Sequence, residues 1–398
     1  MLVVGSGGRE HALAWALARS PELTELHAAP GNPGIASLAS CHPVRADDPS
    51  SLVPLAVELG VDLVVVGPEA PLVAGLADEL RLRGVSAFGP SAAAARLEGS
   101  KAFAKDVMDA AGVPTACTLA VAQPPCVVKA DGLAAGKGVW VCRTQAELDA
   151  GLLAAQALGQ PFHVEELLEG SEVSIFALCD GRSALALPAA QDYKRVGDGD
   201  EGPNTGGMGS YSPVPRLSEG DVEQLVELVH RPALAELAQR RTPFRGVLFA
   251  GLMLTSNGPR VLEFNCRFGD PETQSLLPRL DGDLLGALAA AAAGDLAGVE
   301  LPVSPQSAVT VVLAGGDYPA RGDTGTPIEG VADAESAGVF VFHAGTALQD
   351  GRLVTNGGRI LDVTALGDSL AQARGAAYDA AARIDFAGVR FRRDIADV

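Results

Sequence analysis

The sequence contains little cysteine, little lysine and no long uncharged apolar run. None of its apolar segments is long enough and free enough of charge to cross a bilayer, and we expect no signal peptide because the first residues lack a basic segment followed by an apolar stretch. The six cysteines are scattered and none belongs to a CxxC pair, so neither a zinc site nor a disulfide framework is indicated. We therefore expect a protein of the reducing cytoplasm.

Positive charge is also scarce. The chain carries 49 acidic and 30 basic residues, which gives a formal net charge of −19. This charge argues against non-specific binding to nucleic acids or anionic membranes, although a locally positive pocket could still bind an anionic small molecule. With 398 residues, 47% of them hydrophobic and 20% charged, the chain is expected to be globular, with roughly two to four domains.

The few lysines are clustered in one part of the chain. Five of the 30 basic residues are lysine, and they lie at positions 101, 105, 129, 137 and 194. A genome that favours arginine codons would leave such a remainder by chance. Alternatively, some positions require a compact ammonium group that a planar guanidinium cannot replace. We favour the second interpretation for Lys101, Lys129 and Lys137, and we predict that Lys105 is a solvated helix residue.

The first 98 residues alternate short apolar runs with helical stretches, which predicts βαβ units around a parallel sheet. The candidate strands are residues 2–5, 26–30, 61–67 and 85–89. Ligands of such sheets bind at the carboxyl ends of the strands. Those ends carry the segments GSGGRE (5–10), APGN (29–32) and GPEAP (67–71).

The rest of the chain begins with a predicted helix over residues 98–114 and a small strand-rich segment that extends to about residue 182. Residues 187–213 are polar and glycine-rich, which predicts a long functional loop. The later predicted elements are a helix (218–240), two strands (246–255 and 259–268), a helix (284–294), strands from about residue 301, a hairpin turn at QDGR (349–352) and a last helix (369–384).

The GSGGRE turn leaves three interpretations open. A dinucleotide-binding fingerprint has the pattern GxGxxG, and Gly5 and Gly7 fit it, but Glu10 stands at the third glycine. A carboxylate there would repel a pyrophosphate, and the acidic residue expected about 20 positions later, Glu25, does not end a clear strand. The turn could instead bind the phosphate of a substrate through helix amides, or it could serve packing alone.

The segment GLAAGKG, which begins at Gly132, is similar to a phosphate-binding P-loop but fails its spacing. Three residues separate Gly132 from Gly136 where the motif has four, and Gly138 stands where the motif has Ser or Thr. We interpret the segment as a glycine-rich flap between two strands. Its amides and Lys137 could close over phosphates that Lys129 also reaches.

The segment VLEFNCRFGDPE (261–272) places oxygen ligands on one face of a strand. Glu263 and Asn265 are two residues apart, so in a strand they face the same side and suit magnesium shared with ATP phosphates. Arg267 continues this face and would neutralise a phosphoryl group in transfer. The other interpretation is a half-exposed strand whose polar residues face water, and alternation alone does not separate the two.

The segment VEELLEGSE (164–172) also permits two interpretations. Its apolar residues could form a slot whose backbone binds an adenine edge, with Glu172 accepting hydrogen bonds from ribose hydroxyls. An edge strand that carries ordinary surface acids fits equally well.

Together these motifs resemble those of ATP-grasp ligases, and most closely those of the phosphoribosylamine–glycine ligase family of purine biosynthesis. The stretches that carry the resemblance are GGREHALAW, APGN, VGPEAPLV, FGPS, LEGSKAFAKD, VKADGLAAGKGV, QDYKRVGDGDEGPNTGGMGSYSP, EFNCRFGDPETQ, FHAGT and TNGGR. They cover nearly the full length of the chain, and GPNTGGMG followed by EFNCRFGDPE is highly specific to this family.

The resemblance implies an α/β multidomain fold. Residues 1–98 would form an N-terminal α/β substrate-binding domain with a parallel sheet. Residues 99–116 and 183–300 would form the ATP-grasp central domain, of α+β type. Residues 117–182 would form a small mobile lid, and residues 301–398 a strand-rich C-terminal domain.

The family's reaction joins glycine to 5-phosphoribosylamine with ATP as co-substrate and gives glycinamide ribonucleotide, ADP and phosphate. A carboxylate is a poor electrophile, so transfer of the γ-phosphoryl group first makes glycyl phosphate, which the amine then attacks. Catalysis would be mainly positioning, charge neutralisation and exclusion of water. The implied metal is Mg²⁺, with Mn²⁺ as a substitute. The implied enzyme is a cytoplasmic monomer without nucleic-acid or membrane partners.

The resemblance also implies roles for individual residues. The ATP-binding residues would be Lys101, Lys129, Gly136, Lys137, Gly138, Glu165, Glu166, Leu168 and Glu172. The substrate-binding residues would be Gly7, Gly8, Arg9, Glu10, Gly67, Pro68, Glu69, Asp192, Asn204, Thr205 and Asp270. The metal ligands would be Glu263 and Asn265, and the catalytic residues Arg267 and Lys194. GSGGRE would then face the substrates, with Arg9 helping to hold the ribose 5-phosphate or the neighbouring amine-bearing ribose.

Two features depart from the ATP-grasp pattern. The strand before Glu263 offers no third metal carboxylate, so the metal would rely on two protein ligands, phosphates and water. Residues 118–127 and 155–162 are short for the family, which leaves the reach of the lid open. Two other functions remain possible: an ATP-grasp carboxylase of the same pathway, which would need bicarbonate instead of glycine, and a nicotinamide-linked oxidoreductase that would use GSGGRE.

Overall fold

The N-terminal part of the chain folds around a five-stranded parallel sheet, as predicted. The computed structural model describes residues 1–133, 138–336 and 338–398. The strands are β1 (Leu2–Gly5), β2 (His27–Pro30), β3 (Ser40–Cys41), β4 (Leu63–Val66) and β5 (Ser86–Phe88), in the order β3-β2-β1-β4-β5. The helices are α1 (Gly8–Leu17), α2 (Pro49–Glu58), α3 (Glu69–Val73) and α4 (Leu76–Leu82). Every residue of β1 and β4 is buried, as expected for parallel strands covered on both faces.

Two helices, not the one predicted over residues 98–114, lead into the central part of the chain. They are α5 (Ala92–Gly99) and α6 (Lys101–Ala111). Ser100 between them has an extended backbone, and its side chain accepts a hydrogen bond from the amide of Phe103, so it ends the first helix and caps the second. Lys101 therefore lies in the first turn of α6 and not inside a long helix.

A small antiparallel sheet follows. Its elements are β6 (Cys126–Ala130), β7 (Val139–Cys142), α7 (Gln145–Ala157) and β8 (Phe162–Glu166), with the strand order β7-β6-β8. The core of this unit includes Cys126, Val128, Cys142, Leu148 and Val164. Gly136 and Lys137 of the predicted flap lie outside the described residues. The carbonyl of Gly138 accepts a hydrogen bond from the amide of Ala130 at 2.8 Å.

The stretch 187–213 is not the single irregular loop that its composition predicted. It follows β9 (Ser171–Asp180) and β10 (Ala184–Ala186). It contains β11 (Gln191–Asp192), β12 (Arg195–Gly197), β13 (Glu201–Asn204) and β14 (Gly209–Ser212). β12 and β13 form a ribbon, and β14 pairs with a strand that begins almost a hundred residues later. Composition missed these strands because non-local pairing partners satisfy their backbone groups.

The central sheet has the order β10-β9-β15-β16. The elements that complete this part are α8 (Glu219–Leu225), a π-helical turn (Val226–His230), α9 (Arg231–Gln239), β15 (Arg245–Thr255), β16 (Gly258–Asn265), α10 (Glu272–Leu276) and α11 (Leu284–Ala293). The sequence predicted both long strands, but the second ends at Asn265, before the predicted limit of residue 268.

The C-terminal part is rich in antiparallel strands, as predicted. Its elements are β17 (Ser307–Ala314), β18 (Asp323–Pro327), α12 (Val331–Glu335), β19 (Phe340–His343), β20 (Thr346–Gln349), β21 (Arg352–Gly357), β22 (Arg359–Gly367) and α13 (Leu370–Ala381). The main sheet has the order β11-β14-β17-β22-β19, so it takes two strands from the segment before residue 300. No helix in the described ranges combines the length and the apolar character that crossing a bilayer requires.

Helix α1 and strand β19 meet at two buried histidines. Nδ1 of His11 accepts a hydrogen bond from the amide of His343 at 2.7 Å. Asn32 donates from Nδ2 to the carbonyl oxygens of Ser6 and His343 at 2.8 and 2.7 Å. Burial lowers the pKa of His11 to about 3 and that of His343 to about 4. Neutral imidazoles therefore join the N-terminal and C-terminal parts at pH 7.

We expect this junction to make stability depend on pH. Below about pH 6.5 the unfolded chain binds protons that the buried rings do not. For each histidine, the free energy of unfolding therefore falls by about 1.4 kcal/mol for every unit by which the pH is lowered. For His11 this amounts to about 2 kcal/mol between pH 6.5 and 5. When the free energy of unfolding is measured by urea denaturation, it should therefore fall by about 2 kcal/mol less in His11→Asn than in the wild type over this pH range. Equal losses in the two proteins would contradict a neutral, buried His11.

Candidate active site

The GSGGRE turn is closed by its own glutamate. Oε2 of Glu10 accepts a hydrogen bond from the amide of Gly7 at 2.6 Å, and Oε1 pairs with Nε of Arg9 at 2.6 Å. A Cβ added at Gly67 would lie 2.0 Å from Oε1 of Glu10, and one at Gly5 would lie 2.5 Å from its Cγ. The carboxylate therefore fills the space over the tips of β1 and β4.

This arrangement argues against the dinucleotide interpretation. A pyrophosphate bound to the first amides of α1 would need the position that Glu10 already occupies, and the carboxylate would repel it. Arg9 instead donates from Nη1 to the carbonyl oxygen of Phe268 at 3.1 Å. The turn thus faces the segment that follows β16.

Glu263 and Asn265 share one face of β16. Phe264 between them is buried in the core, so the two polar side chains lie on the opposite face. Gly251 of β15 pairs with Glu263, so this neighbouring position adds no carboxylate. Nδ2 of Asn265 is buried and has no hydrogen-bond partner among the described residues.

This pair of side chains fits a magnesium ion shared with a nucleotide. Mg²⁺ takes one or two protein carboxylates or carbonyls, keeps several waters and binds substrate phosphates. In the part of the chain that the structure describes, no three histidine, cysteine or acidic side chains form a cluster suited to a metal ion. Glu263 and the amide of Asn265 would therefore hold the metal only together with phosphates and water.

Four cations surround Glu263. Burial alone would raise the pKa of its carboxyl, but Lys194, Lys129, Lys101 and Arg267 hold that pKa below its usual value. Glu263 is therefore ionised at pH 7, and the four cations around it are groups that a polyphosphate could contact.

Lys101 is joined to the first residue of the predicted flap. Its Nζ donates to the carbonyl oxygen of Gly132 at 3.2 Å. Asp131, directly before Gly132, accepts from Oγ of Ser100 at 3.2 Å and from the amide of Ala102 at 3.3 Å. Burial lowers the pKa of Lys101. The first turn of α6 and the segment after β6 therefore form one connected wall of the site.

Glu165 is the centre of a buried ion cluster. Its carboxylate contacts Nζ of Lys129 at 2.6 Å, Nζ of Lys105 at 2.8 Å and Nε2 of His163 at 3.1 Å. Burial would raise the pKa of Glu165, but His163 and the two lysines hold it at about 2. The prediction of a solvated Lys105 is wrong: its side chain is 12% exposed because it reaches a carboxylate on a strand that is distant in sequence.

Lys129 also connects the small sheet to β16, the strand that carries Glu263. Its Nζ donates to the carbonyl oxygen of Leu262, the residue before Glu263, at 3.0 Å. An incoming polyphosphate would compete with Glu165 for this ammonium group, since a second anion within contact distance shares its attraction. The predicted role of Lys129 at ATP phosphates thus begins from an ion pair within the protein.

Glu166 and Leu168 lie where the small sheet connects to the central one. The amide of Glu166 donates to the carbonyl of Cys117 at 3.0 Å, and its Oε1 accepts from the amide of Cys117 at 2.8 Å. β8 ends at Glu166 and β9 begins at Ser171, so the backbone between them takes no part in sheet pairing. These groups are placed where the sequence predicted adenine binding, which stays a prediction.

Arg267 lies between two carboxylates. Its Nε contacts Oε2 of Glu69 at 3.2 Å, and its Nη2 contacts Oε1 of Glu98 at 3.2 Å. Its Nη1 donates at 3.2 Å to the carbonyl of Phe268, the same oxygen that accepts from Arg9. The predicted catalytic arginine and the N-terminal turn therefore converge on one carbonyl group.

Lys194 lies among three carboxylates. Its Nζ pairs directly with Oε1 of Glu172. Burial would lower the pKa of Lys194, but Glu172, Asp192 and Glu263 raise it well above its usual value. Burial raises the pKa of Asp192. Thr205 donates from its amide and its Oγ1 to the carbonyl of Lys194 at 2.7 and 2.9 Å, which fixes the lysine backbone. Glu172, predicted to bind ribose, thus already has a cationic partner.

Among the described residues, Asn204, Pro68 and Gly8 were predicted to bind substrate but form no side-chain hydrogen bond with Arg267 or Lys194. Asn204 is exposed on the β12–β13 ribbon, where it pairs with Arg195. Pro68 immediately precedes α3 as its N-cap residue and has an extended backbone. Gly8 packs so closely that an added Cβ would lie 1.8 Å from Oδ2 of Asp362.

Four residues that were not predicted join the site: Glu98 beside Arg267, and Arg359, Gln274 and Asp362 around Asp270, which was predicted to bind substrate. Asp270 pairs with Nη2 of Arg359 at 2.8 Å and accepts from Nε2 of Gln274 at 2.9 Å. Gln274 donates in turn to Asp362 at 2.9 Å. The available signals were the TNGGR stretch, which ends at Arg359, and the EGSK stretch, which contains Glu98. Gln274 and Asp362 follow apolar or helical patterns that carry no such signal.

Models of one protein family match almost the whole chain. The phosphoribosylglycinamide synthetase N domain matches residues 1–98, the ATP-grasp (A) domain of the same synthetase matches residues 99–273, and its C domain matches residues 308–398.

Individual proteins are similar over their full length. A phosphoribosylamine–glycine ligase of Streptomyces coelicolor is 52% identical over 412 residues, which cover 100% of this chain and 98% of that protein. The ligase of Agrobacterium fabrum is 49% identical over 412 residues, with 99% and 97% covered.

Solved structures agree with this relationship. The crystal structure of phosphoribosylamine–glycine ligase from Thermotoga maritima has a TM-score of 0.85 at 33% identity and covers 99% of both chains. A biotin carboxylase domain of a 2-oxoglutarate carboxylase from Hydrogenobacter thermophilus has a TM-score of 0.71 at 18% identity, with 98% of this chain and 91% of that one covered, which shows a shared fold. From the family models and the full-length relatives it follows that this chain belongs to the phosphoribosylglycinamide synthetase family.

Proposed function

We propose that this protein ligates glycine to 5-phosphoribosylamine with ATP, forming glycinamide ribonucleotide, ADP and phosphate in de novo purine biosynthesis. Family membership over the whole chain supports this reaction. The observation that carries the proposal is the convergence of Arg9 and Arg267 on the carbonyl of Phe268, at 3.1 and 3.2 Å. This contact places the N-terminal turn, the expected side of the phosphoribosyl group, beside the strand end that carries Glu263 and Asn265.

In the first step, a carboxylate oxygen of glycine attacks the γ-phosphorus of ATP, and the bond to ADP breaks to give glycyl phosphate. Lys101 and Lys129 would contact the phosphates, and Arg267 would neutralise the oxygens of the phosphoryl group in transfer. Glu263 and Asn265 would hold Mg²⁺, which supplies charge neutralisation at the phosphates when bound.

In the second step, the amine nitrogen of phosphoribosylamine attacks the acyl carbon, and the carbon–oxygen bond to phosphate breaks. The nitrogen loses one proton, and phosphate leaves with the oxygen that came from glycine. Two groups of residues would place the two substrates. Near Arg267 they are Arg9, Glu69 and Asp270, and near Lys194 they are Asp192 and Thr205. The exclusion of water is needed here because the acyl phosphate would otherwise be hydrolysed.

We also propose that the protein acts as a cytoplasmic monomer that uses Mg²⁺ and accepts Mn²⁺, without nucleic-acid or membrane partners. The net charge of −19 supports the last point. All six cysteines are free thiols, which suits a reducing compartment. Light scattering of the purified chain tests the monomer, and activity with each metal after removal of bound cations tests the metal preference.

The proposed reaction is tested by measuring ADP release with glycine and freshly made phosphoribosylamine, each omitted in turn. We expect sustained ADP release only when both substrates are present, and no rise when bicarbonate replaces glycine. ADP release that is indifferent to glycine would contradict the substrate assignment, and the absence of any ATP use would contradict the ligase itself.

A further inference from the structure

Glu98 is a buried carboxylate to which the chemistry described above assigns no role. It lies in the last turn of α5, in the stretch EGSK, and its side chain is 9% exposed. Gly99, Ser100 and Lys101 follow, so the lysine proposed to contact phosphate stands three residues away along the chain. A buried carboxylate requires partners that compensate for its lost hydration, and its partners here are those of the catalytic strand end.

Both oxygens of Glu98 are occupied. Oε2 accepts from the amide of Cys266 at 2.8 Å and lies 3.1 Å from Sγ of the same residue. Oε1 contacts Nη2 of Arg267 at 3.2 Å. One carboxylate thus fixes two groups that follow the proposed metal ligand Asn265. These are the backbone amide of Cys266 and the side chain of Arg267.

The contacts of Arg267 show what this fixation achieves. A guanidinium has five N–H donors in a planar fork. Glu69 holds Nε, Phe268 accepts from Nη1, and Glu98 holds Nη2. These three partners use at most three of the five donors, and they leave one N–H on each terminal nitrogen. Two donors in one guanidinium plane can bind oxygens of a phosphoryl group.

We propose that Glu98 is a positioning residue that orients the guanidinium of Arg267 for phosphoryl transfer. The inference rests on the proposed function, since it assumes that Arg267 faces the transferring group. Glu98, in the last turn of α5, holds both Arg267 and the amide of Cys266, the residue directly after β16, whereas Glu69 holds Arg267 from the N-terminal α3. Loss of Glu98 therefore leaves the charge of Arg267 in place, but the guanidinium is no longer held in one orientation relative to β16.

The test is a double-mutant cycle that combines E98Q with R267K. Glutamine keeps the size of Glu98 but has a single acceptor oxygen, so it satisfies either Cys266 or Arg267 and presents its NH₂ group to the other. We expect E98Q to lower kcat about 30-fold, because small misplacements of a catalytic group have effects of this order. The KM for ATP should change little, since Lys101 and Lys129 are untouched.

The cycle separates positioning from general structural damage. If Glu98 acts through Arg267, adding E98Q to R267K should lower kcat no further, whereas independent roles should multiply their effects. Multiplied effects, or wild-type kcat in E98Q, would overturn the inference. The matched control is Glu58→Gln, at an exposed glutamate at the end of α2, which should leave kcat unchanged.

Two further measurements keep the inference testable on its own. If E98Q fails to fold, E98D, which keeps the charge, is taken through the same cycle with the same criteria. The Nε–H resonance of Arg267, identified by its loss in R267K, should shift or broaden in the Glu98 variant; an unchanged resonance would overturn the inference. A wild type without glycine-dependent ADP release would instead contradict the proposed function.

Discussion

Glu263→Gln is expected to release ADP about 10⁴-fold more slowly than the wild type, with glycine and phosphoribosylamine both present. The substitution keeps the size of the side chain but removes the one carboxylate of β16, which is the proposed metal ligand. A loss of this size corresponds to about 5 kcal/mol of transition-state stabilisation, within the several kcal/mol that a bound divalent cation supplies. Four cations around the site would then also face one another without their shared counter-ion.

The decisive readout for Glu263 is its dependence on magnesium. Raising the Mg²⁺ concentration should recover part of the activity of Glu263→Gln, because a weakened metal site fills by mass action. Glu58→Gln is the control for loss of an acidic residue elsewhere. Activity within tenfold of the wild type at all Mg²⁺ concentrations would exclude Glu263 as a metal ligand.

Arg267→Lys is expected to lower kcat about 10³-fold, at the lower end of the effect of an arginine that stabilises phosphoryl transfer. Lysine keeps the positive charge, but its three donors radiate from one atom and cannot hold Glu69, Glu98 and the carbonyl of Phe268 while facing a substrate. The loss should therefore reflect geometry more than charge.

Comparison of two readouts tests this explanation of Arg267. The KM for ATP should rise less than threefold in Arg267→Lys, because in the proposed mechanism Lys101 and Lys129 make the phosphate contacts of the ground state. The urea midpoint should fall only modestly, since the side chain keeps its charge among two carboxylates. A large rise in KM with unchanged kcat would instead place Arg267 in substrate binding.

The sequence predicted those parts of the fold and site that depend on local pattern. Alternation around Phe264 placed Glu263 and Asn265 on one face, and the apolar runs of β1 and β4 predicted the parallel sheet. The sequence alone showed that Glu10 does not fit the dinucleotide fingerprint. In the structure, the carboxylate of Glu10 lies over Gly5 and Gly67.

The parts that could not be predicted depend on contacts between distant segments. Lys105 looks solvated on an isolated helix, and only the position of β8 brings Glu165 to within 2.8 Å of it. The sequence of β14 is typical of a polar loop, and only its pairing with the distant β17 makes it a strand. The EGSK stretch marks the region of Glu98 but does not indicate its role, because its partners Cys266 and Arg267 follow far later in the chain.

The central claim is that glycine is activated as an acyl phosphate at the site formed by Glu263, Asn265 and Arg267. The most direct measurement uses glycine labelled with ¹⁸O in both carboxylate oxygens and follows the label into the phosphate product by mass spectrometry. The account predicts one ¹⁸O atom in each phosphate released with glycinamide ribonucleotide, since the glycine oxygen that attacks the γ-phosphorus leaves with it. Phosphate without ¹⁸O, formed together with the amide product, would contradict it.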